Sequence, residues 1–99
     1  MEAAKKREAT DKRVHIIIRG RVQGIGFRVF IRDRARQLAL TGWVRNRAGD
    51  RLEVLAEGDH KRLQQLVVLC NNGPPEAAVQ DVLVEWEEPT NEFNLFFVK

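Results

Sequence analysis

The order in which strand and helix signals follow one another restricts the fold of this chain most strongly. Runs of β-branched or alternating apolar residues predict strands, and apolar residues that recur every three to four positions predict helices. In chain order, the signals predict a strand over Val14–Gly20, a helix over Arg28–Leu40, a hairpin of Trp43–Arg47 and Leu52–Glu57, a helix beginning at Asp59, a strand over Val79–Glu87 and a short strand over Phe93–Val98.

This β-α-β-β-α-β order with a terminal strand predicts an α+β fold, the ferredoxin-like split β-α-β sandwich, in which two helices cover one face of an antiparallel sheet. Right-handed crossovers make the first two strands parallel and place the third between them. The loop after the first strand and the end of the second strand then meet at one edge, roughly 10 Å apart. We expect Thr41–Gly42 to end the first helix, because glycine commonly follows a helix.

The 99 residues suffice for one small hydrophobic core. We expect residues 13–99 to form a single domain and residues 1–12, which have no apolar stretch, to be a flexible extension without a targeting signal. The longest apolar run, Leu66–Cys70, is shorter than the ~18 residues that a membrane span needs. These features predict a soluble, cytoplasmic protein with no membrane partner. We expect a monomer, although no sequence feature specifies the oligomeric state.

Charge is divided unevenly between the two halves of the chain. Arg13–Arg51 contains ten arginines and two acids, whereas Leu52–Lys99 contains nine acids and three bases. The guanidinium fork suits phosphate and carboxylate oxygens. The first half could therefore form an anion site, or its arginines could pair with the acids of the second half across the fold.

The segment Gly20–Arg28 combines glycines with an arginine where the first strand leads into the first helix. Glycine permits positive φ angles and lets a ligand approach the backbone closely. The exposed N–H groups and the positive end of the helix dipole suit a phosphate, and the Arg28 side chain can clamp it. An ordinary tight turn is the alternative. The predicted phosphate-binding loop consists of Gln23, Gly24, Ile25, Gly26, Phe27 and Arg28.

The single cysteine and the two histidines do not form a metal-binding pattern. Cys70 lies on the apolar face of the second predicted helix, and His15 and His60 lack ligand spacing to other metal-binding side chains. We therefore predict no metal site and treat Cys70 as a core residue.

The motifs GRVQGIGFR and TGWVRN, separated by one short helix, resemble the signature of the acylphosphatase family. The similarity extends from about Arg13 to the end of the chain. It implies an enzyme that hydrolyses carboxyl-phosphate mixed anhydrides without a metal or another cofactor. It also implies that Arg28 binds phosphate, that Asn46 holds the attacking water, and that the partners are an acyl phosphate and inorganic phosphate, the latter a product and competitive inhibitor.

Two other functions share the predicted topology. An RNA-binding module has the same element order, and Gln23–Phe30 partly resembles an RNA-binding motif. However, Ile25 replaces a stacking aromatic residue, and Leu52–Glu57 contains no aromatic ring. Nucleic acid is therefore not the expected partner. The second alternative is an anion-binding module that does not catalyse a reaction.

Overall fold

The computed structural model describes residues 9–99. Its elements are β1 (Asp11–Arg21), α1 (Phe27–Gln37), β2 (Thr41–Arg47), β3 (Arg51–Asp59), α2 (His60–Asn72), β4 (Ala78–Glu87) and β5 (Phe96–Val98). The predicted element order is confirmed. No helix in residues 9–99 has the length and apolar composition needed to cross a lipid bilayer.

The five strands form one sheet in the order β4-β1-β3-β2-β5. Strand β3 runs antiparallel to both β1 and β2, so these two strands are parallel to each other, as predicted. Strand β5 differs from the predicted antiparallel sheet because it pairs in parallel with β2. The α+β class is confirmed, and the sheet is mixed.

Both helices pack on one face of the sheet and enclose a single core. Alternation along β1 buries Val14, Ile16 and Ile18 completely, and the helices contribute residues at helical spacing. The helical core residues include Phe27, Ile31, Ala35, Leu63, Leu66 and Cys70. Burial raises the pKa of the Cys70 thiol to about 12, which keeps it protonated and unreactive. Cys70 is therefore a core residue, as predicted.

Strand β1 is longer than the sequence indicates. It begins at Asp11, three residues before the predicted start at Val14. Thr10 precedes it and is anchored at the start of α2, since its carbonyl accepts a hydrogen bond from the His60 backbone N–H at 2.9 Å. Part of the predicted extension thus belongs to the sheet, whereas residues 1–8 of that prediction lie outside the described residues.

Helix α1 ends at Gln37, and Gly42 does not follow it as predicted. Ala39 takes the left-handed conformation instead, with a φ of 58°, and the next residue, Leu40, is buried. Gly42 lies within β2, where an added Cβ would stand 1.9 Å from the Leu55 carbonyl oxygen. This glycine is required by the close approach of β3, which a reading of local sequence does not reveal.

The opposite face of the sheet carries ion pairs that join the two halves of the chain. Glu53 on β3 is nearly buried and accepts hydrogen bonds from Arg45 at 2.7 Å and Arg47 at 3.0 Å, while His15 lies 2.6 Å from it. Burial alone would raise the pKa of Glu53, but these hydrogen bonds lower it from 4.5 to about 2. Near neutral pH, Glu53 is therefore ionised and holds two arginines in place.

We predict that Glu53→Gln lowers the free energy of unfolding at pH 7 by about 2 kcal/mol, because it removes the charge that these cationic partners share. Since the pKa of folded Glu53 is depressed, its contribution is complete above pH 4.5 and is lost as the pH falls through about 2. Urea unfolding at pH 7, 4 and 2 measures this change.

The control is Glu85→Gln, which removes an exposed carboxylate on the same face, 4.0 Å from His15. We expect it to change stability by less than ~0.5 kcal/mol. If Glu53→Gln lowered the free energy of unfolding equally at pH 7 and at pH 2, the charge of Glu53 would not be the source of its stabilising effect.

Candidate active site

The loop between β1 and α1 has the backbone conformation that its glycines predict. Gly24 has a φ of 74° and Gly26 a φ of 80°, both in the left-handed region. An added Cβ at either position would meet no atom within 4 Å. The glycines are therefore favoured by their dihedral angles rather than by lack of space.

Helix α1 begins directly after this loop and presents free N–H groups. Gly26 is its N-cap and provides no side-chain hydrogen bond, and the first turn contains no acidic residue. The Phe30 N–H donates to the Gly26 carbonyl at 3.0 Å, so the N–H groups of Phe27, Arg28 and Val29 precede the first hydrogen bond of the helix. These donors and the helix dipole favour an anion at this end.

Arg28 differs from most arginines of the first half because no partner within residues 9–99 engages its guanidinium group. Arg19 pairs with Asp81, and Arg45 pairs with Glu53. Arg36 donates to the Phe96 carbonyl at 2.8 Å. Most of the clustered positive charge is thus used within the fold, while the fork of Arg28 is available to a ligand.

Asn46 lies near the end of β2, on the same face of the strand as buried Val44. It pairs with Leu52 of β3 in the sheet register. Its side chain is exposed and forms no hydrogen bond with the other residues of the described range. Within this range, its carbonyl oxygen and its two N–H donors are therefore free.

Arg28 and Asn46 line one cavity of about 140 Å³, at the sheet edge where the topology predicts that they meet. Pockets for drug-sized ligands hold roughly 300–1,000 Å³, so this cavity suits a small anion better than a large cofactor. Within residues 9–99, the lining consists of Val22, Gly24, Gly26, Phe27, Arg28, Val29, Asn46 and Val98.

Two residues of the predicted loop do not line this cavity. The Gln23 backbone N–H donates to the Asp50 carboxylate at 3.0 Å, and Ile25 packs against the hydrophobic core. The loop donors that remain near the cavity begin at Gly24. Conversely, Val98 lines the cavity although no motif in the sequence marks it as functional. The available signal is that Val98 lies two residues after buried Phe96 and so shares its face of β5.

A larger cavity of about 600 Å³ lies at the opposite end of the sheet. Its lining includes Lys12, Trp86 and two acidic residues, Glu87 and Glu88. It contains none of the predicted site residues, and its carboxylates do not favour an anion. The smaller cavity is the better candidate for the active site.

Comparisons with known proteins agree with this geometry. The acylphosphatase family model matches residues 14–98. An acylphosphatase from Chloroflexus aurantiacus is 45% identical over 86 residues, which cover 87% of this chain and 94% of the relative. The chain belongs to the acylphosphatase family. A second acylphosphatase, from Trichormus variabilis, is 53% identical over 77 residues, covering 78% of this chain and 76% of the relative.

The fold also matches a solved acylphosphatase. The crystal structure of the Bacillus subtilis acylphosphatase superposes with a TM-score of 0.85 at 39% identity, covering 89% of this chain and 98% of that one. The predicted family, fold and enzymatic activity are therefore confirmed, and the chain is an acylphosphatase that hydrolyses acyl phosphates.

The alternative functions are not favoured. An RNA-binding module of this topology stacks bases on aromatic residues of the open sheet face. Here β3 presents Glu53 and Glu57 on that face, both nearly buried and engaged by arginines. Ion pairs therefore occupy the positions of β3 at which such a module would need stacking rings. A module that only binds anions would not account for the match to hydrolases over nearly the whole chain.

We predict that Arg28→Lys lowers kcat/KM for a synthetic acyl phosphate by about 100-fold or more, because a point charge cannot replace two parallel N–H donors. Steady-state kinetics with acetyl phosphate measure the loss. The matched control is Arg62→Lys. Arg62 is an exposed residue of α2 that lies outside the cavity, so this variant should retain wild-type kinetics. Near-normal kcat/KM in Arg28→Lys would exclude the bidentate role.

Proposed function

We propose that Arg28 and the N–H groups of residues 24–28 bind the phosphoryl group of an acyl phosphate while Asn46 directs a water at phosphorus. One observation carries this proposal. The cavity brings together a guanidinium group and a carboxamide that have no partner elsewhere in residues 9–99, next to the N-terminus of α1.

Arg28 and the loop suit the charge of the transferred group. In phosphoryl transfer, catalysis depends mainly on positioning the group and on neutralising its equatorial oxygens. The Arg28 fork can bind two of these oxygens, and the N–H groups at the start of α1 can bind the third. Because these donors are held by the fold, they need little reorganisation during the reaction.

Asn46 suits the attacking water. Its neutral side chain offers one acceptor and two donors, so it can orient a water without the tight binding of a charged group. The leaving group is a carboxylate whose conjugate acid has a pKa of about 4, so it departs without a general acid. The proton of the water can pass to a phosphate oxygen, so the reaction does not require a side-chain base.

We predict that Asn46→Ala lowers kcat by about 100-fold while the affinity for inorganic phosphate changes less than about threefold, because the water is lost but the phosphate donors remain. Kinetics with acetyl phosphate and phosphate titration followed by calorimetry measure the two effects. The control, Asn72→Ala, removes an exposed amide at the end of α2. An equal loss of phosphate affinity in Asn46→Ala would assign Asn46 to the anion site instead.

We predict that inorganic phosphate inhibits competitively and that prolonged treatment with EDTA leaves kcat/KM unchanged. Arg28 and the loop N–H groups supply the positive charge that a metal ion would otherwise provide. Initial rates at several phosphate concentrations, before and after dialysis against EDTA, test both points. Inactivation by EDTA that added metal reverses would contradict the proposed chemistry.

We further propose that the enzyme acts as a cytoplasmic monomer. Arg28 and Asn46 come from one chain and line one cavity, so the site needs no residue from a second copy. The lone cysteine, Cys70, is buried as a free thiol, as is usual in a reducing compartment. Sedimentation analysis at assay concentrations would test the monomer.

A further inference from the structure

The tip of the β2–β3 hairpin contacts the start of the phosphate-binding loop through one carboxylate. Oδ1 of Asp50 accepts a hydrogen bond from the Gln23 backbone N–H at 3.0 Å and a longer one from the Val22 backbone N–H at 3.4 Å. Asp50 adopts a φ of 53° and directly follows Gly49, whose φ is 82°. The sharp turn at these two residues directs the carboxylate toward the loop.

The Gln23 side chain makes the reciprocal contact from the loop to the hairpin. Its Nε2 donates to the Arg47 carbonyl at 2.7 Å and to the Arg51 carbonyl at 3.0 Å. Arg47 and Arg51 pair with each other where β2 and β3 enter the turn. Gln23 and Asp50 thus form hydrogen bonds in both directions across the same junction, 27 residues apart in the chain.

This junction lies between the two halves of the site. Val22 lines the cavity, and Gly24 follows Gln23 directly. On the other side, Arg47 follows Asn46 in β2. Asn46 is held by sheet pairing, whereas the loop with Gly24 and Gly26 lies outside the regular elements. The loop therefore depends on other contacts for its position.

We propose that Asp50 is a positioning residue for catalysis, which holds the phosphate-binding loop in register with Asn46. The proposal rests on the function proposed above for Arg28 and Asn46. Asp50 does not line the cavity and acts through the N–H groups of Val22 and Gln23. Its loss lets the loop move relative to Asn46, and a displacement of about 1 Å in such a site can cost roughly 100-fold in rate.

Asp50→Gly and Asp50→Asn form a matched pair that tests this role. Glycine and asparagine both tolerate the positive φ of this position. Only asparagine keeps a side-chain oxygen that can accept the Gln23 N–H. We expect Asp50→Gly to lower kcat by at least tenfold and to weaken inorganic phosphate binding by about threefold or more. Asp50→Asn should restore both to within threefold of wild type.

The combined effect on kcat and on phosphate affinity distinguishes Asp50 from the groups that contact the substrate. Asn46→Ala should lower kcat and leave phosphate affinity nearly intact, whereas release of the loop should affect both quantities. Urea unfolding confirms that each variant is folded under assay conditions. Wild-type kcat and phosphate affinity in folded Asp50→Gly, or failure of Asp50→Asn to restore them, would overturn the proposal.

Amide hydrogen exchange provides a readout that does not require turnover. We expect the N–H groups of residues 22–28 to exchange faster in Asp50→Gly than in the wild type, and Asp50→Asn to return them to wild-type rates. Equal exchange in all three proteins would overturn the positioning role. If Arg28→Lys and Asn46→Ala hydrolyse acetyl phosphate as well as the wild type does, the proposed catalytic roles of Arg28 and Asn46 are wrong. The exchange rates would still show whether Asp50 holds the loop in place.

Gln23→Met supplies a second, independent perturbation. Methionine has a similar length but cannot donate to the Arg47 and Arg51 carbonyls. If both side chains hold one loop, the double variant Gln23→Met/Asp50→Gly should lose less kcat than the product of the two single losses. Fully multiplicative losses would show that the two side chains act on separate parts of the protein, and would contradict a shared junction.

Discussion

The pairing of β3 with both β1 and β2 is the constraint on which the rest of the structure depends. Because β3 is antiparallel to each neighbour, β1 and β2 end at the same edge of the sheet. The loop after β1 and Asn46 at the end of β2 thereby line one small cavity. The proposed site, built from residues 18 positions apart, thus requires no long connection or second domain.

Among residues 9–99, charge is distributed so that the Arg28 guanidinium at the cavity has no acidic partner. On the open sheet face, Glu53 and Glu57 neutralise the arginines beside them and remain nearly buried. Arg28 lies outside these pairs, at the start of a helix whose first turn has no acidic residue. The ion pairs across the fold therefore stabilise the sheet without engaging the Arg28 guanidinium, which we propose binds the phosphoryl group.

Much of the fold and the site could be predicted because the signals are local. Alternating apolar residues identify the strands, the Asp59 side chain caps α2 by accepting the Arg62 N–H at 3.3 Å, and the glycines before α1 indicate a loop. The motif resemblance singled out Arg28 and Asn46. The remaining features depend on contacts between distant segments: Gly42 faces the Leu55 carbonyl, β5 joins β2, and Asp50 contacts Gln23. No local pattern encodes these pairings.

The position of β5 affects when the cavity can form during protein synthesis. Val98 belongs to the cavity wall, and the parallel pairing of β5 with β2 places it there. The wall is therefore incomplete until the last strand has left the ribosome and aligned with a strand made some fifty residues earlier. A nascent chain that lacks this strand could hold Arg28 and Asn46 but would leave their cavity open to bulk water on one side.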